Sequence, residues 1–209
     1  MSVLIFIRHG QSYNNVEKVL SHDIDKYPLT SEGREQVKRV AEELKKIRKI
    51  RINYLYTSPI LRAYQTATII GNELGLTPII DERLRERRLG SLNNQKIDIN
   101  EHWKIKLYKR EIDIKDIESW EEIRRRISDF VEAVVKGDKK VIIAVSHYDP
   151  IRAFVANILN LDDIEAWGLC IPNASMTIAI CNTTCKLLSI GSPLITNSIL
   201  STLNNYIFG

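Results

Sequence analysis

Apolar residues occur in short uninterrupted runs, and these alternate with longer stretches in which apolar positions recur every three or four residues. The clearest runs are residues 3–7 and 141–145. Both are continuous rather than alternating, which is typical of strands buried on both faces of a parallel sheet. Shorter runs predict further strands at residues 53–56, 77–80, 176–181 and 186–190.

The helical pattern is clearest in two stretches. Thr30 or Ser31 is expected to cap a helix whose apolar face continues to Ile47, and a second helix is expected over residues 119–135. Further helices are predicted in three places: residues 60–74 ending at Gly75, one stretch before residue 119, and residues 150–159 beginning at Pro150. Residues 8–29 and 81–96 are expected to be loops, and the tail after Gly191 carries no clear pattern.

Strands that alternate with helices predict an α/β fold. We expect a three-layer sandwich, with a mostly parallel central sheet and helices on both faces. The 209 residues contain no repeat or linker, and 44% of them are hydrophobic, which is enough to bury one core. Residues 1–209 are therefore expected to form a single domain.

The composition indicates where in the cell the protein is expected and whether it has a membrane partner. No apolar run approaches the roughly 20 residues that cross a bilayer, and the first run lacks the basic leader of a signal peptide. We expect a cytoplasmic protein with no membrane partner, either a monomer or a homodimer. The abundance of Lys, Arg, Glu and Ile is typical of a thermophile.

The cysteines do not predict a metal site. Cys170, Cys181 and Cys185 lack zinc-site spacing, and no histidine pair lies near them. Cys181 and Cys185 could form a disulfide, but we expect two unbonded thiols. The basic runs at residues 83–88, 104–110 and 124–126 lack interleaved aromatic residues, so no nucleic-acid partner is expected.

Candidate chemistry lies where three predicted strands end. The first strand leads into Arg8 and His9, the strand at residues 53–56 leads toward Arg62, and the strand at residues 141–145 leads into His147. Ligands of open α/β sheets bind beyond the carboxyl ends of the strands. Two of the four histidines and two arginines should therefore meet at one edge of the sheet.

An ordered set of segments surrounds these residues. It comprises Arg8-His9-Gly10, Asn15, Leu29-Thr30-x-x-Gly33, Ser58-Pro59-x-x-Arg62-Ala63-x-Gln65-Thr66-Ala67, Leu84-Arg85-Glu86 with Gly90, Glu118-Ser119, Ser146-His147, Pro150-Ile151-Arg152-Ala153 and Asn173-Ala174-Ser175. Together they resemble the histidine phosphatase superfamily, in the branch of cofactor-dependent phosphoglycerate mutases and small phosphatases. Arg-His-Gly alone is a weak signal, but the ordered set is specific.

The resemblance implies a mechanism. His9 would be the nucleophile and would form a phosphohistidine. Arg8 and Arg62 would clamp the phosphoryl oxygens through bidentate hydrogen bonds, and a protonated His147 would add a further donor. These cations would take the place of a metal ion, so no metal and no cofactor is expected.

The resemblance also implies that Glu86 is the general acid and then the base for water. The alternative is a surface carboxylate paired with one of the flanking arginines, Arg83, Arg85, Arg87 or Arg88. Nearby cations should favour ionised Glu86, and we expect the bound phosphate dianion to raise its pKa.

Five residues are candidates for binding the phosphate or the rest of the substrate: Asn15, Ser12, Gln11, Arg87 and Tyr148. Arg87 could bind a carboxylate, and Tyr148 could either line the pocket or serve as a packing aromatic. Residues 91–120 are expected to form part of a lid over the active site, and their basic character favours a small anionic phosphorylated substrate.

Three functions remain open. We favour a phosphatase acting on small phosphate monoesters, because several mutase features are missing: Leu20 to Asp23 replace an aromatic and Gly-Trp, and Leu89 replaces a tyrosine. The alternative is a phosphoglycerate mutase, which would need 2,3-bisphosphoglycerate as cofactor. An inactive binding module is disfavoured, because all five candidate catalytic residues are present.

Overall fold

Six strands form one sheet in the computed structural model, which describes residues 1–47, 52–96, 103–109, 111–137 and 140–208. The strands are β1 (Ser2–Arg8), β2 (Tyr54–Thr57), β3 (Pro78–Ile80), β4 (Val141–Ser146), β5 (Met176–Cys181) and β6 (Cys185–Ser192). Their order is β3-β2-β4-β1-β5-β6. The pairs from β3 to β1 are parallel, and β5 is antiparallel to both β1 and β6. This confirms the mostly parallel sheet.

Helices fill the connections. They are α1 (Tyr13–Glu17), α2 (Ser31–Lys45), α3 (Leu61–Leu74), α4 (Trp103–Tyr108), α5 (Trp120–Val135), α6 (Tyr148–Leu159), α7 (Asp163–Trp167) and α8 (Asn197–Phe208). Short 3₁₀ turns at Glu82–Leu84 and Gly90–Leu92 interrupt the predicted loop. None of the helices in the described part of the chain has the length and apolar character needed to span a bilayer.

The sheet is covered on both faces, as the continuous apolar runs predict. Alternate side chains of β1, such as Ile5, join a core with α2, α3 and α8. The intervening side chains, such as Phe6, join a second core with α5 and α6. The three-layer arrangement is therefore confirmed, and its cause is the burial of both faces of the central strands.

The helix ends agree with the predicted signals in most places. Thr30 caps α2 by accepting a hydrogen bond from the Gly33 N–H, and Ser119 caps α5. Gly75 ends α3 in the left-handed conformation, with φ 69°. Helix α6 begins two residues before the predicted start, since Pro150 lies within its first turn.

Three helices were not predicted. Helices α1 and α7 have five residues each, which is too short for a helical period to appear. Helix α8 lies in the tail, and it buries Leu203 against the core of α2 and α3. Its Ser, Thr and Asn residues are weak helix formers, and they obscure the apolar spacing.

The expectation of two unbonded thiols is wrong. Cys181 and Cys185 are joined by a disulfide. They are register partners across the β5–β6 hairpin, whose turn is closed by a 2.9 Å hydrogen bond from the Asn182 N–H to the Thr184 carbonyl. The prediction failed because it started β6 at residue 186, which placed Cys185 in the turn. Cys170 is an exposed free thiol.

A third, smaller apolar cluster lies away from the sheet. Leu89, Trp103 and Ile114 form its buried centre, and Leu20 packs against it. Of the predicted lid at residues 91–120, residues 97–102 and 110 lie outside the described residues. The lid function remains a prediction.

The start of α2 fixes the segment that follows His9. A Cβ atom on Gly33 would lie 1.9 Å from the Gln11 carbonyl oxygen, and one on Gly10 would lie 2.5 Å from the Gly33 carbonyl oxygen. The Thr30 N–H also donates to the Gln11 carbonyl, at 3.0 Å. Only glycine at both positions allows this approach of two backbones.

Replacing Gly33 with alanine should therefore destabilise the protein by about 1–3 kcal/mol, because the methyl group meets backbone that cannot rotate away. Urea denaturation would measure the loss. Gly168→Ala is the matched control, since its Cβ would make only an ordinary 3.4 Å contact with the Glu165 carbonyl oxygen. Equal stability of the two variants would contradict this account.

Candidate active site

A cavity of about 350 Å³ opens at the carboxyl end of the sheet. Arg8, His9, Arg62 and Glu86 line one part of it. The rest of the lining includes the aromatic residues Trp103, Tyr148 and Trp167 and the polar residues Asn14, Asn15, Lys18, Ser21, Lys104, Asp149 and Asn173. The residues predicted from the ends of distant strands therefore meet in space.

His9 is buried and held in one tautomer. Its Nδ1 lies 2.7 Å from the Gly10 carbonyl oxygen, which can only accept, so Nδ1 carries the proton. Its Nε2 accepts a hydrogen bond from Arg62 Nε at 3.1 Å. Burial, followed by the charges of Arg62 and Arg8, lowers the pKa of His9 well below 6.5. The imidazole is therefore neutral, with the Nε2 lone pair facing the arginine.

The two arginines are each anchored by one backbone carbonyl. Arg62 donates from Nη2 to the Ser21 carbonyl at 2.8 Å, and Arg8 donates from Nη1 to the Ile171 carbonyl at 2.7 Å. Burial lowers the pKa of Arg62 to about 10, so its guanidinium remains charged at neutral pH.

His147 lies beside His9, with the two ring centroids 5.1 Å apart. Its Nε2 is 2.8 Å from the Ser58 hydroxyl. Burial, and after it Arg62, lowers the pKa of His147 well below 6.5. The surrounding cations and the dry environment both favour the neutral ring, so protonation of His147 would require an anion beside it and stays a prediction.

Unpaired buried nitrogens are concentrated at this site. Within the described residues, four buried side-chain polar atoms lack a hydrogen-bond partner, and three of them are Arg8 Nε, Arg62 Nη1 and His147 Nδ1. Leaving such a group unpaired costs about 1–3 kcal/mol. An anion with several oxygens could satisfy this set, so the geometry fits a phosphoryl group.

Glu86 also faces the cavity, but its electrostatics differ from those expected. Its Oε1 accepts hydrogen bonds from the backbone N–H of Arg87 at 2.9 Å and of Asp149 at 3.3 Å. Burial and then the Asp149 carboxylate raise the pKa of Glu86, and this outweighs the opposing effect of Arg62 and Arg8. The two cations do favour ionised Glu86, as expected, but desolvation outweighs them and the net shift of its pKa is upward.

The flanking arginines do not pair with the Glu86 carboxylate. Each has another partner, because Arg83 binds Asp81, Arg85 binds Glu82, Arg87 binds Asp163 and Arg88 donates to the Asp116 carbonyl. The structure thus does not support the alternative of a surface carboxylate in an arginine ion pair.

The three predicted neutral donors have different positions. Asn15 lines the cavity, and its Oδ1 accepts from Ser12 and from Asn173, which leaves the amide NH₂ group for other partners. Ser12 directs its hydroxyl to Asn14 and Asn15, and the Gln11 side chain accepts from Thr30. Neither residue lines the cavity, because both side chains bond to neighbouring side chains, and their binding of substrate stays a prediction.

Arg87 and Tyr148 complete the predicted set. Arg87 is buried behind the cavity wall, where it donates to the Glu118 carbonyl at 2.8 Å and to Asp163 at 2.8 Å. It does not line the cavity, so the structure gives no support to its predicted role as a ligand of a substrate carboxylate, which stays a prediction. Tyr148 both lines the cavity and packs, since its hydroxyl lies within 3.2 Å of two backbone carbonyls and its ring lies 5.1 Å from the Arg8 guanidinium.

Sequence reasoning missed Asp149 and Lys104, which both line the cavity. Lys104 Nζ lies 2.7 Å and 2.9 Å from the two carboxylate oxygens of Asp149. The position of Asp149, two residues after His147, could have indicated it. Lys104 gave no such signal, because a lysine in a basic helix is usually solvated.

The arrangement can perform phosphoryl chemistry. It combines a neutral imidazole whose unprotonated Nε2 can act as a nucleophile, two guanidiniums with unused donors, and a carboxyl group whose pKa burial raises. Within the described residues, no group of three or more His, Cys, Asp or Glu side chains could hold a metal ion.

Comparison with known proteins agrees with the class that the fold and the site define. Residues 4–189 match the family model described as the histidine phosphatase superfamily, branch 1. The chain belongs to the histidine phosphatase superfamily, and it is an enzyme of the class that contains phosphatases and phosphoglycerate mutases.

Relatives differ in activity. A 2,3-bisphosphoglycerate-dependent phosphoglycerate mutase of Thermoplasma acidophilum is 35% identical, over 98% of this chain and 99% of that protein. A putative phosphoserine phosphatase 2 of Hydrogenobacter thermophilus is 29% identical, over 85% and 88%. The mycobacterial glucosyl-3-phosphoglycerate phosphatase superposes with a TM-score of 0.76 at 27% identity, over 91% of this chain and 98% of that one.

The buried histidines predict a pH-dependent stability. The folded pKa values of His9 and His147 lie below 6.5, so the unfolded chain binds protons that the folded protein does not. The free energy of unfolding should therefore fall as the pH drops below about 6.5, by roughly 1.4 kcal/mol per pH unit for each histidine. His147→Gln should reduce this slope by that amount, as measured by denaturation at a series of pH values. An unchanged slope would contradict the neutral state of His147.

Proposed function

We propose that this protein is a metal-independent phosphatase that hydrolyses small phosphate monoesters through a phosphohistidine on His9. One observation carries the proposal. The Nδ1–H···O=C bond to Gly10 places the lone pair of His9 on Nε2, where it accepts from Arg62 Nε at 3.1 Å, in a site whose unpaired nitrogens suit phosphoryl oxygens. Arg8 and Arg62 supply the positive charge that a metal ion supplies in other phosphatases.

The first half-reaction transfers the phosphoryl group. His9 Nε2 attacks phosphorus in line, the bond to the ester oxygen breaks, and that oxygen leaves with the proton of the Glu86 carboxyl group. The arginines hold the equatorial oxygens. The arriving dianion favours protonation of His147, which would then donate to it.

The second half-reaction regenerates the enzyme. Water gives a proton to the Glu86 carboxylate and attacks phosphorus, the P–N bond breaks, and its electrons return to His9 Nε2. Glu86 ends protonated and inorganic phosphate leaves. The raised pKa of Glu86 suits this exchange, because the group must be an acid in one step and a base in the next.

We further propose a phosphorylated three-carbon acid as the substrate class. The names of three relatives include phosphoglycerate, phosphoserine and glucosyl-3-phosphoglycerate, which share a carboxylate near the phosphate ester. In this cavity two cations lie beside the aromatic lining, since Lys104 is 5.1 Å from the Trp103 ring and Arg8 is 5.1 Å from the Tyr148 ring.

A phosphoglycerate mutase is the second candidate. The observation that favours it is the 35% identity to the Thermoplasma acidophilum mutase over nearly the full length of both chains. The two activities share the phosphohistidine, and they differ in whether water or a second substrate hydroxyl receives the phosphoryl group.

Trapping the intermediate tests the nucleophile. Acid-free denaturation during turnover of a radiolabelled phosphate ester should leave label on the wild-type protein, stable in base and labile in acid. His9→Ala should carry no label and should lose at least roughly 1000-fold in kcat, because no other side chain replaces the nucleophile. His22→Gln is the control and should retain the label. Label on the His9→Ala variant would refute the proposal.

A paired assay decides between the two activities. With 2,3-bisphosphoglycerate present, we expect hydrolysis of phosphoglycerates and phosphoserine to exceed interconversion of 2- and 3-phosphoglycerate at least about 10-fold in kcat/KM. Phosphorus NMR of one reaction mixture measures both. Faster interconversion than release of inorganic phosphate would establish the mutase.

A further inference from the structure

A compact cluster of five charged side chains lies next to Glu86. The acids Asp149 and Asp163 alternate with the bases Arg87, Lys104 and Arg152, and all except Asp163 are at least nine-tenths buried. Asp149 is the centre of the cluster. It accepts from Arg152 at 2.6 Å and from Lys104 at 2.7 Å, and it lies 3.8 Å from Arg87.

Asp149 acts on Glu86 in two ways, through a hydrogen bond and through its charge. Its backbone N–H donates to Glu86 Oε1 at 3.3 Å, which fixes one oxygen of the carboxyl group. After burial, the negative charge of its carboxylate is the largest cause of the raised pKa of Glu86. The surrounding bases lower the pKa of Asp149 itself, so its carboxylate is ionised at neutral pH.

Lys104 connects this centre to α4, the helix of the predicted lid segment. Both oxygens of Asp149 contact its ammonium group, and Lys104 and Asp149 line the cavity together. Lys104 therefore offsets part of the negative charge that Glu86 experiences. A helix outside the sheet thus contributes to the charge state of a residue inside the site.

Other charged groups also face Glu86. Arg8 from β1 and Arg62 from α3 lower its pKa from the side of His9. On its other side Glu86 lines a second cavity with His22, Glu82, Arg85, Arg88, Glu118 and Arg126. In that group Glu118 pairs with Arg126 and Glu82 with Arg85, so the charges largely cancel.

We propose that Asp149 is a positioning residue that keeps Glu86 in its acid form, and that Lys104 of α4 tunes this effect by pairing with Asp149. The inference rests on the proposed function, in that Glu86 is the acid whose protonation it concerns. It assigns no direct contact with the reacting atoms to Asp149 or Lys104.

The two residues should act in opposite directions. Asp149→Asn keeps the backbone hydrogen bond but removes the anion, so Glu86 should lose its proton at lower pH. Lys104→Met exposes Glu86 to more of the Asp149 charge, so Glu86 should keep its proton to higher pH. A merely structural role of either residue would change the rate or the stability without this opposition of signs.

The alkaline limb of kcat/KM for phenyl phosphate, whose poor leaving group needs an acid, measures the effect. Relative to wild type, the alkaline limb of Asp149→Asn should shift to lower pH by about one unit, and that of Lys104→Met should shift to higher pH by a similar amount. Asp129→Asn and Lys109→Met, which alter exposed charges, are the matched controls and should leave the limb in place.

Glu86→Gln separates this inference from the proposal on which it rests. Loss of the limb in Glu86→Gln, with opposite shifts in the two test variants, supports both. A limb retained in Glu86→Gln refutes the acid role of Glu86. Suppose instead that the alkaline limb is lost in Glu86→Gln. If Asp149→Asn and Lys104→Met then leave the limb in place, or move it in the same direction, the inference alone is overturned. Should Asp149→Asn fail to fold, Lys104→Met decides, because an unshifted limb in that variant is sufficient to reject it.

Discussion

The hydrogen bond from Arg62 to His9 is the interaction on which the rest of the site depends. It joins the end of β1 to the first turn of α3, which are 53 residues apart in the chain. It also requires His9 to be neutral, since a protonated Nε2 could not accept. One contact therefore fixes the relative position of two segments, the tautomer of the imidazole and the direction of its lone pair.

Placing so much positive charge in a buried site has an energetic cost, and the fold limits it in a specific way. Arg8 and Arg62 each give one nitrogen to a backbone carbonyl, contributed by Ile171 and by Ser21. These bonds hold the guanidiniums without neutralising them, as a carboxylate partner would do. Arg8 Nε and Arg62 Nη1 remain without a partner, and the charge is preserved. The site is therefore most stable when an anion is bound, which is a useful property in an enzyme that must bind phosphate esters.

Much of this could be predicted from the sequence, and the limits are physical. Continuous apolar runs indicate strands buried on both faces, and strand ends indicate the site, so His9, Arg62 and His147 could be placed together. The tail helix and the Cys181–Cys185 bond could not, because each depends on tertiary packing or on strand register. The directions of the pKa shifts of His147 and Glu86 could not be predicted for a related reason. Spacing shows which charged groups are near one another, but it does not show how dry the site is.

The role of dryness is clearest for the two carboxyl groups, Glu86 and Asp149. They are neighbours in space, joined by a hydrogen bond from the Asp149 N–H to Glu86, yet the pKa of Glu86 is raised and that of Asp149 is lowered. The difference lies in their partners. Asp149 has Lys104 and Arg152 within 3 Å, whereas Glu86, among the residues that the structure describes, accepts from backbone N–H groups alone. A permanent anion beside a buried carboxyl group makes a second negative charge unfavourable. The same pair of residue types can therefore provide one fixed charge and one exchangeable proton, provided that only one of the two carboxylates is paired directly with cations.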